Sequence, residues 1–147
     1  MSAAVVRIDA DFDLGRFLEQ PLTAHVAVAG PSVRPVWFLW EDGAFWWLTG
    51  DWPSLTATLK NDPRVALVVD TCHLETGTVL QVSADGDAEI YQLDRERARR
   101  LLRRYLGPEE ARWPARLVEL GFHDPATRLI RLEPARLRAR TLSYEAP

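Results

Sequence analysis

The amino-acid sequence predicts a mainly β protein, an antiparallel barrel with peripheral α-helices. Short segments rich in β-branched and aromatic residues recur along the chain, Gly-containing turns join them in pairs, and helical segments are few. A doubly wound parallel sheet would show strict alternation of strand and helix instead. The 147 residues read as a single domain, 1–147, and 47% apolar with 27% charged residues is the balance of a globular chain.

The elements follow in order. Asp11 to Gln20 reads as a short helix with Phe12, Leu14, Phe17 and Leu18 on its apolar side, ended by Pro21. Thr23 to Ala29 alternates and is a strand, followed by a turn at Gly30-Pro31-Ser32. Val33 to Trp40 and Ala44 to Thr49 are strands joined by Glu41-Asp42-Gly43, where glycine supplies the positive φ of a tight hairpin. Gly50-Asp51-Trp52-Pro53 is a loop, and Ser54 is placed to cap a helix through Lys60. Asn61-Asp62-Pro63 stops that helix. Arg64 to Asp70 is a near-continuous apolar strand, which predicts burial on both faces. Thr71 to Gly77 is a loop, and Thr78 to Ala84 and Asp87 to Gln92 form a strand pair around Asp85-Gly86. The clearest helix runs from Asp94 to Leu106, with Ala98, Leu101, Leu102, Tyr105 and Leu106 on one face and Gly107-Pro108 at its end. Glu109 to Leu120 is helical but broken at Pro114. Strands over Thr127 to Leu132 and Arg136 to Leu142 close a set of seven or eight strands and three or four helices.

Composition narrows the function. A net charge of −3 argues against nucleic acid as a partner. The arginines of the long helix, Arg95, Arg97, Arg99, Arg100, Arg103 and Arg104, read as a solvated or interface face beside neutralising acids. Met1 to Arg7 lacks the pattern of a signal peptide, and no apolar run approaches 18 residues, so no membrane is expected and the default address is cytoplasmic. Cys72 is a lone thiol. His25, His73 and His123 are scattered, so no metal site is expected. No nucleophile elbow, P-loop or dinucleotide fingerprint is present, and the catalytic residues are unknown.

The aromatic residues are more informative. Trp37, Trp40, Trp46, Trp47 and Trp52 fall within sixteen residues, with Phe38 and Phe45 among them. Neighbours on a strand point to opposite faces, so Trp46 and Trp47 cannot both fill one barrel. One set is expected to fill it. The other faces a partner, a ligand or solvent, either as a dimer interface or as a flat wall for a planar ring.

In the order and spacing of these segments the chain resembles the pyridoxamine-phosphate-oxidase-like split β-barrels, a superfamily of flavin- and deazaflavin-dependent proteins. The resemblance is carried by Leu22 to Ala29, Arg34-Pro35-Val36-Trp37-Phe38-Leu39-Trp40, the Asp42-Gly43 hairpin and Phe45-Trp46-Trp47-Leu48-Thr49-Gly50. It continues through Asn61-Asp62-Pro63-Arg64-Val65-Ala66-Leu67 and Gln81-Val82-Ser83-Ala84-Asp85-Gly86. It implies a split antiparallel barrel and a homodimer with the flavin in a groove between subunits. By the same resemblance Arg34, Val36, Trp37 and Phe38 lie on the strand beside the cofactor. Leu48 and Thr49 reach its ring or phosphate, and Gln81 matches a cofactor-contacting glutamine. The family's basic pair that grips the phosphate falls here on Ser54 and Leu55, so both charges are missing. The N-terminus of the following helix, the hydroxyls of Ser54 and Thr49, and the charge of Arg34 are the available substitutes.

The resemblance implies an oxidoreductase that moves a hydride between FMN, or deazaflavin F-420, and a small organic substrate. A non-catalytic flavin-binding module and a cofactor-free dimeric barrel remain as alternatives. Pyridoxamine phosphate oxidase activity itself is not expected. Arg131-Leu132-Glu133-Pro134 matches only the last part of the family's substrate-binding signature, and Arg138-Ala139-Arg140-Thr141-Leu142 follows without the rest.

Overall fold

A sheet that curls toward itself as a half-barrel forms the body of the protein. The computed structural model describes residues 4–50 and 52–147. Met1 to Ala3 of the N-terminal reading and Asp51 of the predicted loop lie outside the described residues. The strands are β1 (Val5–Ile8), β2 (Thr23–Val28), β3 (Ser32–Trp37), β4 (Leu39–Glu41), β5 (Ala44–Leu48), β6 (Arg64–His73), β7 (Thr78–Gln92), β8 (Arg128–Leu132) and β9 (Arg136–Thr141). The helices are α1 (Leu14–Glu19), α2 (Leu55–Asn61), α3 (Arg95–Leu106) and α4 (Ala115–Val118), with a 3-10 turn at Glu110–Arg112 and a π turn at Glu119–His123. The sheet order is β3-β2-β6-β7-β8-β5-β4, and β9 joins β7 and carries β1. These pairings are antiparallel except β1 with β9. Among the described residues no helix is long and apolar enough to cross a membrane.

The hairpin at Asp42-Gly43 forms as expected, with φ of 56° and 70° at its two central residues. Asp94 caps α3 by accepting from the N–H groups of Glu96 and Arg97. Other expectations change. The strand expected over Val33 to Trp40 is broken at Phe38: β3 pairs with β2, whereas β4 pairs with β5. No hairpin forms at Asp85-Gly86. β7 runs through it as one strand, pairing first with β6 and β9 and then with β8. Gly86 is needed at the crossing, because a Cβ there would lie 3.0 Å from the Ala135 nitrogen and 3.1 Å from the Glu133 carbonyl. β6 is not buried on both faces. Val65, Leu67 and Val69 are buried while Ala66 is exposed, so the strand is one-sided and simply has apolar residues outside. β6 also extends to His73, into the expected loop. β1 was not expected, because its four residues are all exposed and show no alternation.

The two faces of β5 explain the tryptophans. Trp47, with Phe38 and Phe45, is fully buried inside the barrel. Trp46 packs on the other side with Leu101, Leu102 and Phe122 in a second core beneath α3. The expectation that one set faces a partner, ligand or solvent is therefore corrected for Trp46 and Trp47: the helices cover the outer face of β5, so each residue has its own core. Each such side chain contributes about 1.5–3 kcal/mol when buried.

The arginine face of α3 is mostly a set of pins. Arg97 and Arg100 each place a nitrogen 2.6 Å from Glu41 Oε1, and the Arg97 guanidinium lies 3.6 Å from the centroid of the Trp46 ring. Arg99 bridges Glu96 and Glu110. The Arg100 hydrogen bond, with help from Arg97, holds the Glu41 carboxyl below the usual carboxylate range. A carboxyl so lowered stabilises the fold above its unfolded pKa and loses that effect as pH falls through its folded value. Glu41→Gln should cost about 1–3 kcal/mol at pH 7. The difference from the parent should narrow as the pH is lowered from 7 through the acid range, as a series of thermal melts will show.

Candidate functional site

The site begins at the break in the sheet. Phe38 leaves the ladder, so its backbone groups need other partners. Tyr105 of α3 takes the Phe38 N–H at 3.0 Å and donates its own O–H to the Leu22 carbonyl at 2.6 Å. Arg104 donates to the Phe38 carbonyl and, at 2.7 Å each, to the carbonyls of Leu18 and Gln20. Burial pushes the Tyr105 phenol up, which keeps it protonated as a donor, and pushes the Arg104 guanidinium down. Trp37, one residue before the bend, stacks flat on Tyr105 with ring centroids 4.5 Å apart and planes 1° apart. An indole held this way is pre-set for a planar partner.

Beside this stack lies a cleft of about 410 Å³. One wall is β3, with Arg34, Pro35, Val36 and Trp37. The end of β5 continues it with Leu48, Thr49 and Gly50, then Trp52. Helical residues line it too: Leu101 and Leu102 of α3, then Arg116, Leu117 and Leu120 of α4 and the π turn. The Arg34 guanidinium lies 5.3 Å from the centroid of the Trp52 ring. Thr49 is fixed by a reciprocal pair, its N–H donating to the Arg128 carbonyl at 3.0 Å and its Oγ1 accepting the Arg128 N–H at 2.9 Å. That leaves the Thr49 O–H as a donor.

Of the residues expected from the sequence, Arg34, Val36, Trp37, Leu48 and Thr49 meet in this cleft. Three do not. Phe38 is fully buried in the barrel core, because the bend turns it inward against Phe45, and it supports the wall from behind. Ser54 does not line the cleft and makes no capping bond. Its backbone is already helical, so its hydroxyl is not placed over the free N–H groups as that of an extended cap is. The N-terminal residues of α2, Ser54 and Leu55, are not among the residues that line the cleft. Gln81 sits on β7, across β2 and β6 from β3, and accepts a hydrogen bond from Arg140 Nε at 2.9 Å. The sequence reading missed the helical wall altogether. Leu101 and Leu102 were legible only as core, and nothing local ties Arg116 to Arg34.

A larger depression of about 800 Å³ lies over β2, β6 and β7, floored by Val28, Ala66 and Gly86. Its two lining arginines are paired with lining carboxylates, Arg64 with Asp62 at 2.7 Å and Arg136 with Asp85 at 3.2 Å. It lacks the apolar enclosure of a small-molecule site.

The pyridoxamine 5'-phosphate oxidase family model matches residues 14–141, and the chain belongs to that family. Solved structures share the split-barrel fold. A conserved hypothetical protein from Mycobacterium tuberculosis is 20% identical over 95% of this chain and 89% of its own, with a TM-score of 0.68. A flavocytochrome from Azotobacter vinelandii is 20% identical over 90% of this chain and 67% of its own, with a TM-score of 0.65. An F420 reductase is 21% identical over 87% of this chain and 98% of its own, with a TM-score of 0.60. At such identity the likeness speaks for the fold. No curated protein sequence matches the chain.

Removing the Tyr105 hydroxyl leaves the Phe38 N–H and the Leu22 carbonyl without their partner. Tyr105→Phe should cost about 1–3 kcal/mol. That corresponds to a fall in Tm of roughly 3–10 °C by calorimetry, with the Trp37 stack retained.

Proposed function

We propose that the cleft between β3, β5 and the helical wall binds a flavin or deazaflavin, and that the protein uses it to move a hydride to or from a small organic substrate. The observation that carries this reading is the meeting of Arg34, Val36, Trp37, Leu48 and Thr49 in one mainly apolar cleft of about 410 Å³. That volume lies in the range of cofactor and ligand pockets. The donor set suits the group. Apolar side chains and the fixed Trp37 indole match a flat ring system, while the Arg34 guanidinium and the Thr49 hydroxyl match a phosphate. Family membership supports the reading. So does the name of one structural neighbour, an F420 reductase, and that of another, a flavocytochrome.

A bound flavin or deazaflavin supplies the hydride chemistry itself. The protein's own residues bind and orient. The β3–β5 wall fixes the plane of the ring, the helical leucines exclude water from one side, and Arg34 and Thr49 anchor the charged tail. FMN is the first candidate and F-420 the second.

The same reading makes the protein a homodimer. β3 is an edge strand, and Val33 and Trp37 on it are exposed apolar residues. Pro35 within β3 removes a backbone donor from that edge, so a second copy is expected to cover it by side-chain packing rather than by extending the sheet. Light scattering should give a mass near twice 16.7 kDa.

Titration with FMN and with F-420, followed by absorbance and tryptophan fluorescence, tests the site. Saturable binding of one of them is expected, and Arg34→Ala should weaken it roughly ten- to hundredfold. Absence of binding to either cofactor would overturn the proposal.

A further inference from the structure

We propose that Arg7, Arg138 and Ser83 bind a phosphate group on the outer face of the sheet, where β1, β9 and β7 lie side by side. The site goes beyond the flavin reading and does not rest on it. Along the path β3-β2-β6-β7-β9-β1 it lies at the opposite edge from β3, away from the cleft. The register builds it. Arg7 is the direct partner of Arg138 across the β1–β9 ladder, and Arg138 is the direct partner of Ser83 across the β7–β9 ladder. The three residues therefore form one row on strands about 4.8 Å apart, with Arg138 in the middle. Leu137 and Ala139 beside Arg138, and Val82 and Ala84 beside Ser83, are buried in the barrel core. Alternation then places Arg138 and Ser83 on the outer face. Arg7, Arg138 and Ser83 line one surface cavity of about 340 Å³, together with Val5, Asp85 and Arg136.

The charges set this row apart. Like charges directly opposite on neighbouring strands repel. Among the described residues neither Arg7 nor Arg138 makes a hydrogen bond or ion pair through its side chain, and the Ser83 hydroxyl has no partner either. The other arginines of β9 are taken, Arg136 by Asp85 at 3.2 Å and Arg140 by Gln81 at 2.9 Å. Asp85 is the carboxylate of the cavity, and Arg136 occupies it. Met1 to Ala3, which precede β1, bring no side-chain carboxylate, and Asp51 follows Gly50, which packs on Leu120 at the cleft. Two guanidinium forks and a hydroxyl in one row match the oxygens of a phosphate. A dianion bound between the arginines turns their mutual repulsion into attraction for a shared partner.

The test titrates the protein with inorganic phosphate and with phenyl phosphate, with chloride at matched ionic strength as the control, by calorimetry and thermal melts. The parent, Arg7→Gln, Arg138→Gln and Arg34→Ala are compared. Saturable binding to the parent is expected, with Tm raised by roughly 3–6 °C at about ten times the dissociation constant. Arg7→Gln and Arg138→Gln should each weaken binding roughly tenfold, whereas Arg34→Ala should leave it within about twofold. Without phosphate both Gln variants should melt within about 2 °C of the parent or above it, because a like-charge pair is gone. Tighter binding of phenyl phosphate assigns the cavity to an esterified phosphate, and tighter binding of inorganic phosphate assigns it to the free ion. No saturable binding to the parent overturns the site. Equal stabilisation by chloride also overturns it, since that is screening of two like charges. So does phosphate binding that survives both Gln variants and is lost in Arg34→Ala, since the anion is then in the cleft.

Discussion

The fold and the cleft both depend on how two side chains of α3 satisfy the backbone at Phe38. A strand cannot leave one ladder and enter another without exposing amide groups to a dry interior, at a cost of about 1–3 kcal/mol for each unpaired group. Tyr105 and Arg104 supply those partners and, in the same contacts, tie down the carbonyls of Leu18, Gln20 and Leu22. The bend sends Phe38 into the barrel and leaves Trp37 outside, stacked on the same tyrosine. One helix therefore closes the barrel and presents one wall of the cleft.

The helices thus do two jobs with one surface. Ala98, Leu101 and Leu102 bury the outer face of β5, and the buried Leu101 and Leu102 also stand behind the cleft. Arg97 and Arg100 of α3 clamp this layer to the β4–β5 hairpin through Glu41. Positive charge in the cleft comes instead from β3 and α4, elements that lie far apart in sequence. A helix and a strand held rigidly against each other give a ligand a site that needs little reorganisation, and so little entropy is lost on binding.

Signals within a few residues of one another were legible. The Asp42-Gly43 hairpin, the cap at Asp94, the apolar face of α3 and the stop at Gly107 follow from local chemistry, and the structure has each of them. The alternation argument correctly separated Trp46 from Trp47, but it could not show that a second core would receive Trp46. Asp85-Gly86 has the composition of a turn, yet that glycine serves a crossing of backbones. Ser54 has the composition of a cap, yet its backbone is already helical.

Local composition and period determined the class of the protein, the order of most strands and the β3–β5 side of the cleft, because side chains two residues apart on a strand share a face. Tertiary structure alone decided the rest: the break at Phe38, the unbroken course of β7, the placement of Ser54 and Gln81 away from the cleft, and the arrival of helical residues of α3 and α4 in its lining. Each of these depends on which backbone groups and side chains meet across tens of residues. Such meetings are set by satisfying buried polar groups and filling two cores at once, and no local pattern encodes them.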